Sequence, residues 1–501
     1  MNQSICQPPL SEWRTLLTPG IQGRSDDARI PNLRETIVSE AFGWSSDLAS
    51  RYGISSPARP KTNTPLLMTG HQPSVYHAGI IEKHRTLDEW LLTGGGAGIN
   101  VIIDTDESSG LRFLIPGRNA KGLYLSEHQL AASAGTYQTD AVQSKATLIT
   151  LLDQIRNTFD AALPVPVRTR LEESLLFLSR YPGQSVVEVS TALRRHFNPK
   201  SAILDLPLSA LLHLPEVSLF LGRLLREPIG FAGAYNRVLS DHRAAHKISN
   251  RANPFPDLNV QNGRYELPFW ISSGAAAESK RERVPAWIEV KGDLAAIGNE
   301  QEELLSLPVG EIAKVFTPES PYRLVPRGAI ITLLLRLIGP DLFIHGQGGG
   351  RYDTFTDRLI REVLLVDPPP FVVVSATSYL YPTEAALFVQ ARELQARKRE
   401  ILFHPETALG TGVFTAEEEH TIQGLVTTRT GLVELVQGLP KKDPRRREAE
   451  QQLKRVAGEL KVLGSLGTAQ FSPVESNLNI EDEPVVCCRE FPFFLLEGIA
   501  P

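Results

Sequence analysis

The sequence predicts an α/β protein: a Rossmann-like core carrying a helical insertion and closing on a C-terminal helical hairpin or coiled coil. Three observations predict it. A short apolar run, Pro65–Thr69, stops at Gly70, passes through a polar loop into a helical pattern and returns to a second apolar run at Gly98–Ile103. That is one strand–helix–strand unit, whose crossover is expected to be right-handed. A second strand-to-helix junction, rich in glycine, follows Asp341–His345, and two amphipathic helical stripes joined by a short loop lie in the C-terminal part.

The chain has 501 residues, enough for two or three folding units. Its hydrophobic content of 42% and charged content of 22% match ordinary globular usage and argue against a disordered chain. A formal net charge of −5 gives no electrostatic footprint for nucleic acid. Cys6, Cys487 and Cys488 are the three cysteines. They make neither a disulfide framework nor a cysteine metal site, and a reducing, cytoplasmic setting is expected. No signal peptide is apparent at the N-terminus. The longest apolar run, Ile330–Leu335, falls far short of a membrane span, so no membrane association is expected.

Four segments are expected: 1–125 as the first half of the core, 126–250 as a helical insertion, 251–383 as the second half, and 384–501 as the helical hairpin and tail. Residues 1–62, with scattered Pro and Arg, suggest irregular structure and short helices. Gly79–Leu92 has helical apolar spacing, and so do Leu148–Phe159, Leu171–Leu178 and Ser190–Phe197; Pro215 interrupts another such stretch, Leu208–Leu225. Tyr265–Ile271 and Val284–Val290 alternate as strands, with Asn262-Gly263 as a hairpin turn. Tyr322–Leu337 runs from loop to helix, Asp341–His345 is a strand, Asp353–Leu364 a helix and Pro368–Ser375 a strand. Leu453, Val456, Leu460 and Leu463 form one helical stripe, and Ile422, Leu425, Val426, Leu432, Val433 and Val436 another, joined by a loop holding Pro440 and Pro444. Cys487-Cys488, beside Val485 and Val486, suggests buried strand.

Three constellations carry candidate chemistry. In Thr69-Gly70-His71-Gln72-Pro73-Ser74-Val75-Tyr76-His77-Ala78-Gly79, a strand end, a glycine turn and a helix start offer backbone N–H groups to an anion. Imidazolium at His71 or His77 would offset charge developing in a phosphoryl or adenylyl transition state. The competing expectation is a polar loop whose histidines cap the helix. Asp104, Asp106 and Glu107 follow the second strand at the same edge, where carboxylates hold an amine or Mg²⁺, act as a general base, or merely cap a helix. In His345-Gly346-Gln347-Gly348-Gly349-Gly350-Arg351-Tyr352-Asp353, the glycines allow close backbone approach and positive φ. No standard nucleotide motif is present, and no metal site is assigned. Asp241, His242 and His246 suggest a helix face rather than a metal set.

The order of these motifs resembles the bacillithiol-biosynthesis cysteine-adding enzyme (BshC) family. Its TGQQPG-type loop is similar to Thr69–Ser74, its acidic GEDHD-type segment to Ile103–Glu107, and its later helix, strand, glycine loop and tyrosine to Pro326–Leu337, Leu342–His345 and Gly346–Tyr352. The resemblance implies a ligase that adds cysteine to an amino-sugar acceptor through an amide, with ATP or ADP as helper. It also implies a homodimer held by the coiled coil. His71, His77, Asp104, Asp106 and Glu107 then become candidate catalytic residues. Gly70, Gln72, Gly79, Arg327, His345, Gly346, Gly348, Gly349, Gly350 and Tyr352 become candidate ligand-binding residues, with Arg327 as a fork for a ligand carboxylate. The chain departs from the family where His71 replaces a glutamine, where the acidic segment lacks its histidine and where Ser74 replaces a glycine. It is expected to be a divergent member with its own substrate.

Two other function classes stand beside this. One is a non-catalytic nucleotide- or small-molecule-binding scaffold on the same fold. The other is an adenylate-forming transferase, suggested by His77-Ala78-Gly79 but weakened by Ile80 in place of a second histidine and by the absence of a KMSKS-type signature.

Overall fold

Five parallel strands and one antiparallel edge strand form the sheet that positions everything else. The structure, a computed structural model, describes residues 3–22, 33–133, 135–273, 283–471 and 479–496. The strands are β1 (Gln3–Gln7), β2 (Leu66–His71), β3 (Ala97–Ile102), β4 (Leu204–Pro207), β5 (Leu342–His345) and β6 (Phe371–Thr377), in spatial order β1-β6-β5-β2-β3-β4. All but β1 run parallel; β1 pairs antiparallel with β6. From β2 the chain steps outward to β3 and β4, then crosses back to lay β5 and β6 on the other side of β2.

Both faces of the central strands β2, β3 and β5 are buried, so these strands are nearly continuous apolar runs. Leu66, Met68, Ile99, Val101, Leu204 and Leu206 face one cluster, with Ile37 and Leu333; Leu67, Leu342, Ile344, Val372 and Val374 face the other, with Trp13, Leu87 and Trp90. Each fully buried leucine or valine contributes about 1.5–3 kcal/mol of transfer free energy.

Helix α1 (Ala78–Gly94) links β2 to β3 and buries Ile80, Ile81, His84, Leu87 and Trp90, spaced by three and four residues. Beyond its end, Gly96 has φ +118 and lies so close to the Pro65 carbonyl that a Cβ would sit 2.6 Å from the oxygen. Helix α2 (Ala329–Leu337) precedes β5, and α3 (Gln347–Leu364) links β5 to β6. A second, antiparallel sheet has the order 303–308, 294–298, 284–291, 264–273 and 322–326, and its Leu267, Phe269 and Ile271 join the first cluster. Asn262 and Gly263, at φ 51 and 79, make the expected two-residue hairpin turn.

Several expectations need correction. Residues 1–62 contribute strand β1 and a 20-residue helix, Leu33–Tyr52. Residues 126–250 are not purely helical, because they hold part of the strand pair Leu111–Asn119 with Gly122–Ala131 and the edge strand β4. Pro215 opens a helix, Pro215–Leu224, rather than bending one. Val485 and Val486 belong to a short helix, and Cys487 follows it, so this stretch is not strand.

The chain divides into two compact units, residues 1–380 with 488–501, and residues 381–487. In the second, helices Pro382–Phe403, Ala416–Gly438 and Pro444–Ala469 surround Ile401, Phe414, Ile422, Val456 and Leu460. Leu425, Val426, Leu432 and Leu463 of the expected stripes pack there, whereas Val433 stays exposed. Thr415 and Glu418 close a capping box at the start of the middle helix. Among the described residues no helix is long and apolar enough to cross a membrane.

Candidate functional site

The strand order reverses between β2 and β5, and in an open parallel sheet ligands bind outside the carboxyl ends of the strands at such a point. Thr69 pairs with Ile344 in register, so His71 and Gly346 leave the sheet side by side. β3 lies on the other flank of β2 and delivers Asp104 to the same edge. The three constellations, far apart in the chain, are thus brought to one edge.

His71 is the last residue of β2. Its Nδ1 faces the Gln72 carbonyl at 3.1 Å, and its ring stands edge-on to Tyr76. A carbonyl only accepts, so Nδ1 carries the proton. Burial, reinforced by the nearby Lys83 charge, pushes the His71 pKa down to about 3. His77 caps α1, where its Nδ1 accepts from the Gly79 N–H at 3.0 Å, and burial lowers its pKa as well. Burial therefore favours neutral rings in this loop, in opposite tautomers, over the imidazolium pair expected from the sequence. Gly79 packs tightly, since a Cβ there would lie 3.2 Å from both the Ala376 carbonyl and Ser375 Oγ of β6.

Gln72 Nε2 donates to Asp106 Oδ2 at 3.0 Å and ties the first loop to the acidic one. Asp104 is buried and fully engaged: Oδ1 accepts from Ser209 N at 2.9 Å, and Oδ2 accepts from Ser209 Oγ and from Gln138 Nε2. Burial raises its pKa, and the Ser209 bonds oppose the rise. It holds the start of helix Leu208–Leu212. Asp106 is half-exposed, and Glu107 stands in solvent.

The expected glycine loop is the first turn of α3. Gly346 is its N-cap, at φ −78, and no side chain caps the helix. None of the four glycines has positive φ. Gly349 and Gly350 are small because His345 Nδ1 and Val373 Cγ2 would lie 2.7 and 2.4 Å from an added Cβ, whereas Gly346 and Gly348 border open space. The helix thus presents bare N–H groups at the reversal point, with the positive end of its dipole outward. His345 turns inward, where its Nε2 meets Asp353 at 2.8 Å, and Asp353 also accepts from buried Arg336 at 2.7 Å. Its role is to lock the helix start. Tyr352 packs edge-on to Phe255.

Arg327 does not offer a free fork to a ligand. Its guanidinium is bound to Glu266 and lies 4.7 Å from the Trp270 ring centroid. Three contributors escaped the sequence. Arg283 also lies on Trp270, at 5.4 Å, and donates to the Thr105 carbonyl at 2.7 Å. The C-terminal segment returns over the first loop, with Phe493 N donating to the Tyr76 carbonyl at 2.7 Å. Lys83 is buried and donates to the Gly70 carbonyl at 2.8 Å, and burial lowers its pKa to about 8. Lys83 was findable, since it sits three residues after Ile80 and four before Leu87, on the apolar stripe where a charge is out of place. Nothing in the pattern marks Arg283.

No protein-family model matches the chain, and no curated protein matches it.

Proposed function

We propose that the chain is a carbon–nitrogen-bond-forming ligase similar to the bacillithiol cysteine-adding enzymes, working at the carboxyl edge of a Rossmann-like sheet. One observation carries the reading: β2 and β5 are neighbours at the point of strand reversal, so the His71–Gln72 loop and the start of α3 leave the sheet side by side at one edge. The residues fit an anionic group. Open space at Gly346 and Gly348, an uncapped helix start and the Lys83 ammonium suit the phosphates of ATP or ADP. A nucleotide there would supply the activation that a carboxylate needs before it forms an amide. Asp106, steered by Gln72 and half-exposed, is the carboxylate placed to hold the incoming amine and take its proton. Asp104 and His77 position the loops. His71 contributes Nε2 as an acceptor.

The helical unit 381–487 is assigned to a coiled-coil role. Exposed Leu435, Val462 and Leu466 give it apolar surface for a homodimer, and unpaired cysteines accord with a cytoplasmic setting. Sedimentation of the full chain tests the dimer.

A second reading, a non-catalytic binding scaffold, is favoured by a separate observation: Asp104 spends both carboxylate oxygens, and His77 its Nδ1, on the protein's own backbone and side chains. Calorimetry of the full chain with ATP, ADP, cysteine and glucosaminyl-malate decides. Binding of nucleotide together with cysteine, and amide formation, support the ligase. Nucleotide binding without turnover supports the scaffold, and silence toward all four at millimolar concentration removes the ligase.

A further inference from the structure

Behind the Asp104–Glu107 loop, between the edge of the parallel sheet and strand 322–326, lies a cavity of about 30 Å³. About 10–15 Å³ of such space serves one water, so there is room for two oxygen-sized atoms. Its lining is mixed: Thr105, Thr136, Ser209 and Arg283 contribute polar groups, and Leu212 and Phe316 apolar ones. Gln138 and His213 also line it and are exposed, so the cavity opens to solvent.

Two of these groups lack partners. Thr105 Oγ1 and Thr136 Oγ1 are buried without a hydrogen bond, in residues each only 4% exposed. Buried hydroxyls are normally satisfied, and two orphans lining one cavity point to something that binds them. Arg283, its side chain 9% exposed, spends a hydrogen bond on the Thr105 carbonyl at 2.7 Å. It also forms longer ion pairs with Asp106 at 3.7 Å and with Glu107 at 3.9 Å, on its solvent side, so its charge is shared rather than spent on one carboxylate. Asp104, the nearest buried carboxylate, has both oxygens occupied by Ser209 and Gln138. The cavity therefore offers hydroxyl and guanidinium donors and few free acceptors.

We propose that this cavity, built by Thr105, Thr136 and Arg283, binds the carboxylate group of a small ligand. A carboxylate brings two oxygens that only accept, which matches both the donors and the space. The site stands independently of the ligase chemistry: a chain that binds carboxylate here and ignores ATP and cysteine keeps the site and loses the enzyme.

The test is calorimetric titration of acetate into the full chain at constant ionic strength, with acetamide as the neutral control. Acetate is expected to bind saturably and acetamide not. Thr105→Val and Thr136→Val keep the shape and remove only a hydroxyl without a partner. Each is expected to weaken acetate about tenfold while leaving the ligand-free melting temperature unchanged or higher. Arg283→Lys, which keeps the charge and removes the fork, gives the same loss should a valine variant misfold. A cavity filled by water alone overturns the proposal; acetate then fails to saturate, acetamide behaves identically, or the variants bind acetate as the wild type does.

Discussion

The Thr69 hydroxyl donates to the Ile344 carbonyl at 2.9 Å, joining two strands across 275 residues of chain. Both residues are buried, so the bond fixes the level at which β2 and β5 release their loops. It is the geometric reason that the start of α3 lies beside His71.

From that placement the glycines of α3 separate into two kinds. Gly350→Ala drives a methyl into Val373, and it should lose about 1–2 kcal/mol even after the better helix propensity of alanine is counted. Gly348→Ala meets nothing within 4 Å and should be neutral or slightly stabilising. If the helix start receives a phosphate, Gly348→Ala weakens ADP binding without loss of stability. Urea denaturation and calorimetry on both variants check this, and an unchanged ADP affinity in Gly348→Ala counts against the crevice.

His71 gives a pH dependence with a definite sign. Its folded pKa, about 3, lies below the ordinary 6.5, so the unfolded chain binds the extra proton between those values. Stability from this group is complete above pH 6.5 and is lost as the pH falls toward 3. At pH 5 the loss is about 2 kcal/mol. Wild type should therefore lose that much more stability than His71→Gln between pH 7 and 5. Equal losses in the two proteins would mean that the imidazole is solvated.

Asp104 separates a structural from a catalytic carboxylate. Asp104→Ala strands the Ser209 N–H and hydroxyl, a cost of about 1–3 kcal/mol, visible as a lower melting temperature. Asp104→Asn keeps an acceptor and should restore most of it. If Asp104→Asn instead keeps the melting temperature and abolishes turnover, the carboxylate is the base and Asp106 is not.

The legible parts of the fold are those where pattern and environment agree. β2 and β3 are apolar because both faces are buried, and the Asn262-Gly263 turn follows from backbone that needs positive φ. β4 was illegible because four residues between helices are too few to show a period, and its Asp205 is paired inward with Arg194 at 2.6 Å rather than exposed. At the site, residue type announced the edge but not the protonation. Neutral histidines and a saturated Asp104 depend on burial and on Ser209, 105 residues away. The glycine run suggested close approach to a ligand and positive φ, whereas Gly349 and Gly350 are held small by the contacts of His345 and Val373 and none of the four has left-handed backbone.

Lys83 provides the sharpest test of the crevice. Its folded pKa, about 8, lies below the ordinary 10.5, so below pH 8 the fold carries a buried ammonium at a cost of about 3 kcal/mol. Stability from this group rises as the pH climbs from 8 to 10.5. Lys83→Met keeps the stem volume and forfeits only the bond to the Gly70 carbonyl, so at pH 7.5 it should be more stable than wild type by about 2 kcal/mol. That advantage should shrink by pH 10. A fold that tolerates such a cost has a use for the charge, and Lys83→Met should lose nucleotide affinity while its melting temperature rises. Should the variant melt higher and still bind ADP like the wild type, the ammonium serves no anion and the phosphate site lies elsewhere.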